Sequence, residues 1–392
     1  MSSATHSQTA SPGDVIETPL GPTRSRFQQF WVLFRRNSLA VSGLAIFGLF
    51  FFTAVVGLLV TSGTQPLLDP AQVRLQEKLK PPLSRPNLDT LRPGEVPPLG
   101  VYLFGTDNLG RDVFARMLQG AWVSLTVGFV AVGISVVIGI FLGGIAGYFG
   151  QAAIRVDHML PAFLLLFGVA AWIAGAKGSA IVLMGLGSGV VIVSIAAQKI
   201  WRKRPMPVFL NALRFPVLTA DTLIMRLVDI MLCFPSFFLI LTVVALLPAS
   251  LYNIMIVIGL TSWMGTTRFV RAEFLSLREQ DFVLAARALG IRTYRIIFRQ
   301  MMPNAIAPVL VSATIGIASA ILTEAGLSFL GFGVPPPHAT WGNILSGGKD
   351  FIFDAPWLTF VPGIAILIVV LSFNLFGEGL RDALNPKLRE RH

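Results

Sequence analysis

Nucleophiles, general bases and metal ligands are sparse in this 392-residue chain, and those present do not cluster. Its four histidines are scattered and its single cysteine, Cys233, stands inside an apolar run, so no nucleophile–base pair or Cys/His metal set is spelled out. The nearest approach to a phosphate loop, Ser346-Gly-Gly-Lys-Asp350, lacks the first glycine at the needed spacing and the Ser/Thr after lysine. Two acids lie within apolar runs: Asp229, three residues after Arg226, and Glu324. A charge in hydrocarbon is costly unless paired or facing a cavity, which makes Asp229 and Glu324 candidates for a solute path. The simpler alternatives are an Arg226–Asp229 ion pair at the membrane boundary and a helix-packing hydrogen bond for Glu324.

The densest polar stretch is 268–303, RFVRAEFLSLREQDFVLAARALGIRTYRIIFRQMMP, set between two apolar runs. Its pattern predicts two short amphipathic helices. In the first, Phe282, Ala285, Ala286 and Leu289 share a face, and Gly290 is placed to stop the helix in the left-handed conformation. Thr293 is a candidate N-cap for the second, and Pro303 would open the next apolar helix. Helix, glycine break and helix make a compact knob with small side chains at its tip. A hairpin that only bound lipid headgroups would need basic and apolar faces but not Ala-Ala and Gly at fixed spacing.

The elements that carry this knob are apolar. The chain has 54% hydrophobic and 13% charged residues and a mean hydropathy of +0.71. Soluble domains carry roughly 25% charged residues, so the composition is that of an all-α integral membrane protein. Eight runs are long enough to be considered as spans: 39–62, 122–148, 159–176, 180–198, 222–247, 251–267, 305–332 and 356–377. Most of the 31 Lys and Arg fall on the side of the N-terminus, which predicts cytoplasmic N- and C-termini. The net charge of +11 is thus a topology signal, and nucleic acid is not an expected partner.

The expected organisation is a disordered tail (1–38), a first span (39–62) and a Pro-rich outer loop (63–121) of extended, irregular chain. A transmembrane domain (122–377) would follow, with an inserted hairpin at 159–200 and the cytoplasmic loop 268–303, and then a C-terminal tail (378–392). The first span reads as an uncleaved anchor, and too few residues follow the last span for a fused ATPase. Asp107 is a candidate N-cap for a short helix carrying Phe114 and Met117. Gly139, Gly143 and Gly147, four apart, predict close helix packing, and Pro235 predicts a kink. His338, Trp341 and the Pro335–Pro337 run are candidate outer contacts.

The spacing of Ala285-Ala286, Gly290 and Pro303 resembles the EAA loop of ABC-importer permeases, with Leu284 where that pattern has Glu. GTDNLGRD (105–112), GYFG (147–150), MRLVDIMLCFPS (225–236), LSLREQDFVLAARALG (275–290), TEAGLSFLGFG (323–333) and FNLFGEGLRDALNPK (373–387) extend the likeness. Together they resemble the C-type permease of the dipeptide/oligopeptide/nickel family. The resemblance implies a six-span core, with the hairpin 159–200 extra to it. It also implies a second, homologous permease, two ATPase subunits that bind ATP and Mg, and an extracytoplasmic solute-binding protein. This chain would lie in a cytoplasmic membrane among lipid, with no cofactor of its own and no catalysis. Asp281, Ala285, Ala286, Arg287, Gly290 and Pro303 would then form the ATPase-coupling surface. The rival reading is a secondary transporter driven by an ion gradient, which would need acids near the bilayer midplane.

Overall fold

A computed structural model describes residues 26–63, 66–89, 91–150, 153–155, 164–165, 172, 177–200 and 216–384. Helix α1 (Arg26–Arg36) corrects the expectation of a disordered tail for its last part, because its aromatic face has somewhere to go; residues 1–25 lie outside the described residues. Phe34 is buried, with its ring centre 5.9 Å from that of Phe376. Asn37 then starts α2 (Ser38–Thr61), its Oδ1 accepting the Leu39 and Ala40 N–H groups at 3.1 and 3.2 Å.

Helix α3 (Val113–Tyr148) is the central strut. Its N-cap is Asp112, which accepts the Phe114 N–H, and not Asp107. The expected separate short helix is not formed, since Phe114 and Met117 lie in the first turns of α3. Along its far half, Gly139, Gly143 and Gly147 face α8 (Trp263–Arg278). A Cβ at these positions would come within 2.6, 2.6 and 2.5 Å of Thr266, Thr267 and Phe274, so glycine is what permits the approach.

Beyond α3, strand β1 (Ala153–Arg155) pairs antiparallel with β2 (Pro216–Thr219), with an irregularity between Ile154 and Arg155. This ribbon joins the two ends of the expected insertion. Its second arm is helix α4 (Lys177–Ile200), and most of the first arm, 159–176, lies outside the described residues.

Helices α5 (Ala220–Cys233) and α6 (Ser236–Leu246) meet at 82°. Pro235 supplies no N–H and pushes Phe234 into extended backbone, which turns the expected kink into a break. Cys233, at the end of α5, is exposed. The expected run 251–267 is also divided, into α7 (Leu251–Leu260) and the start of α8.

Helix α9 (Asp281–Ala288) is followed by a long helix, α10 (Thr293–Phe329), then α11 (Trp341–Gly348) and α12 (Trp357–Leu384). The expected tail from 378 is therefore helical as far as Leu384. Among the described residues, α2, α3, α10 and α12 are long and apolar enough to cross a membrane, and α5–α6 make a fifth if counted as one span. The main core is where α3, α7, α10, α11 and α12 meet, around Leu125, Ile258, Ile321, Leu327, Trp341 and Phe373. A second, smaller core of Val270, Phe274, Val283, Ala286, Ile296 and Met301 lies at the other end of α3.

The loop between α2 and α3 is not the loose extended chain that its prolines suggest. It folds as a cap around buried Arg74, Glu77, Tyr102, Thr106 and Asp107. Asp107 Oδ1 accepts the Leu109 and Arg111 N–H groups, both at 2.9 Å, and its Oδ2 meets Arg111 Nε at 2.7 Å and Arg116 Nε at 3.7 Å. Arg74 donates to the Glu95 carbonyl, Trp357 to the Thr106 carbonyl and Arg116 to Asn343 of α11. Short-range turns and long-range side-chain bonds thus replace regular secondary structure.

Candidate functional site

The second core carries the knob that the sequence singles out. Helix α9 is eight residues long and turns only Val283 (0% exposed) and Ala286 (3%) inward. Those two seat it on Phe274 and Leu277 of α8 and on Ile296 and Met301 of α10. Asp281, Phe282, Leu284, Ala285, Arg287 and Leu289 are exposed. The expected common face of Phe282, Ala285, Ala286 and Leu289 is corrected accordingly. Helical spacing allowed either stripe, and the cluster beneath α9 selected Val283 with Ala286. Ala286 therefore anchors the knob from below, whereas Ala285 lies on its outer surface.

Gly290 ends the helix as expected, at φ +69°. Its N–H donates to the Arg287 carbonyl at 3.0 Å, and the Ile291 N–H donates to the Ala286 carbonyl at 3.1 Å. These two bonds form a Schellman stop, which satisfies carbonyls that the helix end would otherwise leave bare. A Cβ on Gly290 would meet nothing within 4 Å, so glycine is there for backbone conformation and not for space.

Thr293 does not cap the next helix. It is the first helical residue of α10, and the flanking position is Arg292, which makes no side-chain cap bond. Pro303 does not open a new helix either, because α10 passes through it by way of a π turn at Ile296–Met301. A proline inside a regular helix loses one N–H bond and crowds the carbonyl four residues back. The wide turn relieves that crowding, and Asn304 Nδ2 donates to the Gln300 carbonyl at 2.6 Å. The second half of the knob, from Thr293, is thus continuous with a membrane-length helix, and a short turn at 289–292 joins it to α9.

On the other side the knob continues from α8, which is clamped to α5 by two ion pairs. Arg271 grips Asp221 with two nitrogens, Nη2 lying 2.6 Å from Oδ2, and Arg268 Nη2 lies 2.7 Å from Asp229 Oδ1. The expected Arg226–Asp229 pair is present at 4.0 Å, but Arg226 is the more distant of two partners of Asp229. Arg268 was the missing partner, hidden because it lies 39 residues along the chain.

Glu324 is fully buried at the end of the molecule away from the knob. Ser328 Oγ donates to its Oε1 at 2.7 Å and lies 3.5 Å from Thr340 Oγ1. The Ser328 contact is the helix-packing alternative, and the other carboxylate oxygen, Oε2, is buried with no hydrogen-bond partner among the described residues. Trp341, expected on an outer surface, is 1% exposed and donates its ring N–H to the Met117 carbonyl at 3.2 Å, whereas His338 is exposed. A cleft of about 830 Å³, mostly apolar but with Glu273, Asn304, Ser312 and Arg381 on its walls, opens between α8, α10 and α12. Sequence reasoning did not find these four, since they come from three helices and share no local pattern. Among the described residues no group of acids, His and Cys is arranged to hold a metal.

Comparison with known proteins gives two family matches. Residues 205–390 match the binding-protein-dependent transport system inner membrane component, and residues 25–82 match the N-terminal transmembrane domain of oligopeptide transport permease C. The chain is 35% identical over 372 residues to the dipeptide transport system permease protein DppC of Alkalihalophilus pseudofirmus, covering 95% of this chain and 92% of that one. It is 33% identical over 387 residues to the di/tripeptide transport system permease protein DppC of Pseudomonas aeruginosa, covering 98% of each. With the oligopeptide transport system permease protein OppC of Bacillus subtilis it shares 30% identity over 359 residues, 91% of this chain and 88% of the relative.

Proposed function

This chain belongs to the family of binding-protein-dependent transport inner membrane components, in its dipeptide and oligopeptide branch, and we propose that its knob is the surface on which a separate ATPase drives it. The chain is the permease subunit of an ABC peptide importer, a multi-pass membrane protein. The finer reading adds a homologous second permease, two ATPase subunits that bind ATP and Mg, and an extracytoplasmic binding protein. It places the knob and both termini on the cytoplasmic side of a bacterial or archaeal inner membrane, with no catalysis by this chain.

The observation that carries this reading is the outward face of α9. Ala285 leaves room for close approach, Asp281 and Arg287 offer charges to orient a partner, and Phe282 and Leu289 (79% exposed) are apolar groups with no cover of their own. Gly290 sharpens the turn, and Pro303 sets the wide turn through which α10 receives the load. When ATP closes the ATPase pair, force on α9 would pass to α10 directly and to α5 through the Arg271–Asp221 and Arg268–Asp229 clamps. ATP can shift the inward–outward equilibrium only by binding one state better than the other, and a rigidly mounted knob transmits that difference. The ion-driven alternative is less well supported, because Asp229 is paired with arginine and Glu324 is packed against a serine.

The test is a mild-detergent pull-down of the tagged chain from its native membrane, for wild type, Ala285→Trp and Ala286→Gly. Wild type and Ala286→Gly are expected to bring down a second permease and ATPase subunits. Ala285→Trp should keep the permease partner and lose the ATPases. Absence of any ATPase with wild type, even after crosslinking, would overturn the reading.

A further inference from the structure

Between α3 and the first turns of α10 runs an apolar groove of about 680 Å³. Val137, Phe141 and Phe149 line one wall, and Tyr294, Phe298 and Met302 line the other. Val137, Phe141 and Phe298 are 66–68% exposed, so nothing among the described residues covers the groove. From Phe149 to Val137 it extends about 18 Å at 1.5 Å per helical residue. That is close to the ~15 Å depth of one leaflet of a bilayer core.

The lip of the groove at the knob end is basic. Arg295 lies over the Tyr294 ring at 5.8 Å, with its Nε 3.1 Å from the Tyr294 hydroxyl. Arg287 lies over Tyr148 at 5.1 Å, and Tyr148 stands edge-on to Phe149 at 4.9 Å. Arg292 and Arg299 are exposed on the same segment. None of these four arginines forms an ion pair with a carboxylate among the described residues. Aromatic stacking holds a guanidinium in place and leaves its N–H edge free for an oxyanion.

We propose that this groove holds an anionic phospholipid, with an acyl chain along the Val137–Phe149 wall and its phosphate against Arg295, Arg292 and Arg299. A protein occupant would need an apolar ridge and several acids in register. One lipid supplies both chemistries, at the spacing that a leaflet imposes. The site adjoins Arg287 of the knob, so lipid occupancy would steady the base of α9 and the π turn. The inference requires that the chain be embedded in a membrane and does not depend on ATPase docking.

The test is native mass spectrometry of the full chain in mild detergent, titrated with phosphatidylglycerol and separately with phosphatidylcholine of the same acyl chains. Wild type should retain phosphatidylglycerol preferentially. Arg295→Gln and Arg299→Gln should each weaken that retention roughly fivefold, at the worth of one basic residue near an anionic surface. Arg295→Lys should largely preserve it, and Val137→Trp, which fills the deep end, should reduce it. Equal retention of the two lipids, indifference to the arginine variants, or displacement by inorganic phosphate alone would overturn the proposal. So would a photo-crosslinker at Phe298 that captures a polypeptide in place of lipid. Scoring ATPase subunits in parallel pull-downs separates the two readings: Arg295→Gln should lose lipid yet keep them, whereas Ala285→Trp should do the reverse.

Discussion

The cap that precedes α3 and the knob that follows α8 are both loops by sequence, and they solve opposite problems. The cap buries Arg74, Glu77, Tyr102 and Asp107 and is tied to α3 through Asp107–Arg116 and to α12 through the Trp357–Thr106 bond. The knob turns two small apolar residues inward and leaves its charged groups in the open. Buried charge networks are costly to disturb, the more so where, as at Arg74 Nη1 and the Tyr102 hydroxyl, an atom already lacks a hydrogen-bond partner among the described residues, whereas exposed charges can be exchanged for those of a partner. The molecule therefore has one end organised to hold its own shape and one end that leaves its charged surface open.

The glycines put this contrast to its sharpest test. Gly110 of the cap and Gly290 of the knob share almost the same backbone, φ +70° and +69°. A Cβ on Gly110 would come within 1.8 Å of the Arg74 carbonyl oxygen, while one on Gly290 would meet nothing. Gly110→Ala is expected to abolish accumulation of folded protein in the membrane. Gly290→Ala should cost only about 1–2 kcal/mol, the penalty of an L-residue in that conformation, and should accumulate near wild-type levels. Its transport should nevertheless fall, because the knob loses its stop. Fluorescence-detected size exclusion beside peptide uptake checks both, and equal yields of the two variants would erase the distinction drawn here.

The acids give the next step. Asp107→Asn leaves buried Arg116 short of its countercharge and should cost on the order of 3 kcal/mol, read as a lower thermal midpoint. Asp281→Asn, on an exposed helix end, should change stability by less than about 0.5 kcal/mol while weakening ATPase capture. On α9 itself, Ala286→Trp would force a bulky group into the small core and cost about 1–3 kcal/mol. Ala285→Trp, one residue earlier, should leave the melting curve in place and act only on the partner. A common effect of both tryptophans would mean that α9 is buried on both sides.

What the sequence made legible divides along the same line. Apolar runs announced α2, α3 and α12, and the four-residue glycine spacing announced a close helix contact on α3, though not that α8 makes it, because both are local patterns with one physical meaning. Gly290 was legible because a helix stop has few alternatives. The inward face of α9 was not, since Val283–Ala286 and Ala285–Leu289 are both valid stripes until Ile296 and Met301 are brought beneath one of them. Asp107 and Asp112 were equally plausible caps by type, and the choice fell to Arg111 and Arg116, which occupy Asp107. The fold of the cap was hidden for the same reason: its prolines report only the absence of helix. One of the bonds that order it comes from Trp357, over two hundred residues away, and Asp107 is held by Arg116, which itself bonds Asn343.

The smallest expected effect concerns pH and belongs to the cap alone. Burial pushes the Tyr102 phenol up from 10.0 to about 12. A group whose proton is held more tightly when folded contributes stability that is complete below its unfolded value and lost as pH rises through its folded one. The cap should therefore loosen between pH 10 and 12, visible as lost protection in hydrogen exchange of residues around Ser84 and Tyr102, whose backbones pair. Tyr102→Phe removes the ionisation and should flatten that profile. The same profile in the phenylalanine variant would place the titrating group elsewhere. Because α3 separates the two ends, Gly290 and its neighbours should show no step that depends on Tyr102, so a shared transition would mean that cap and knob are mechanically one unit.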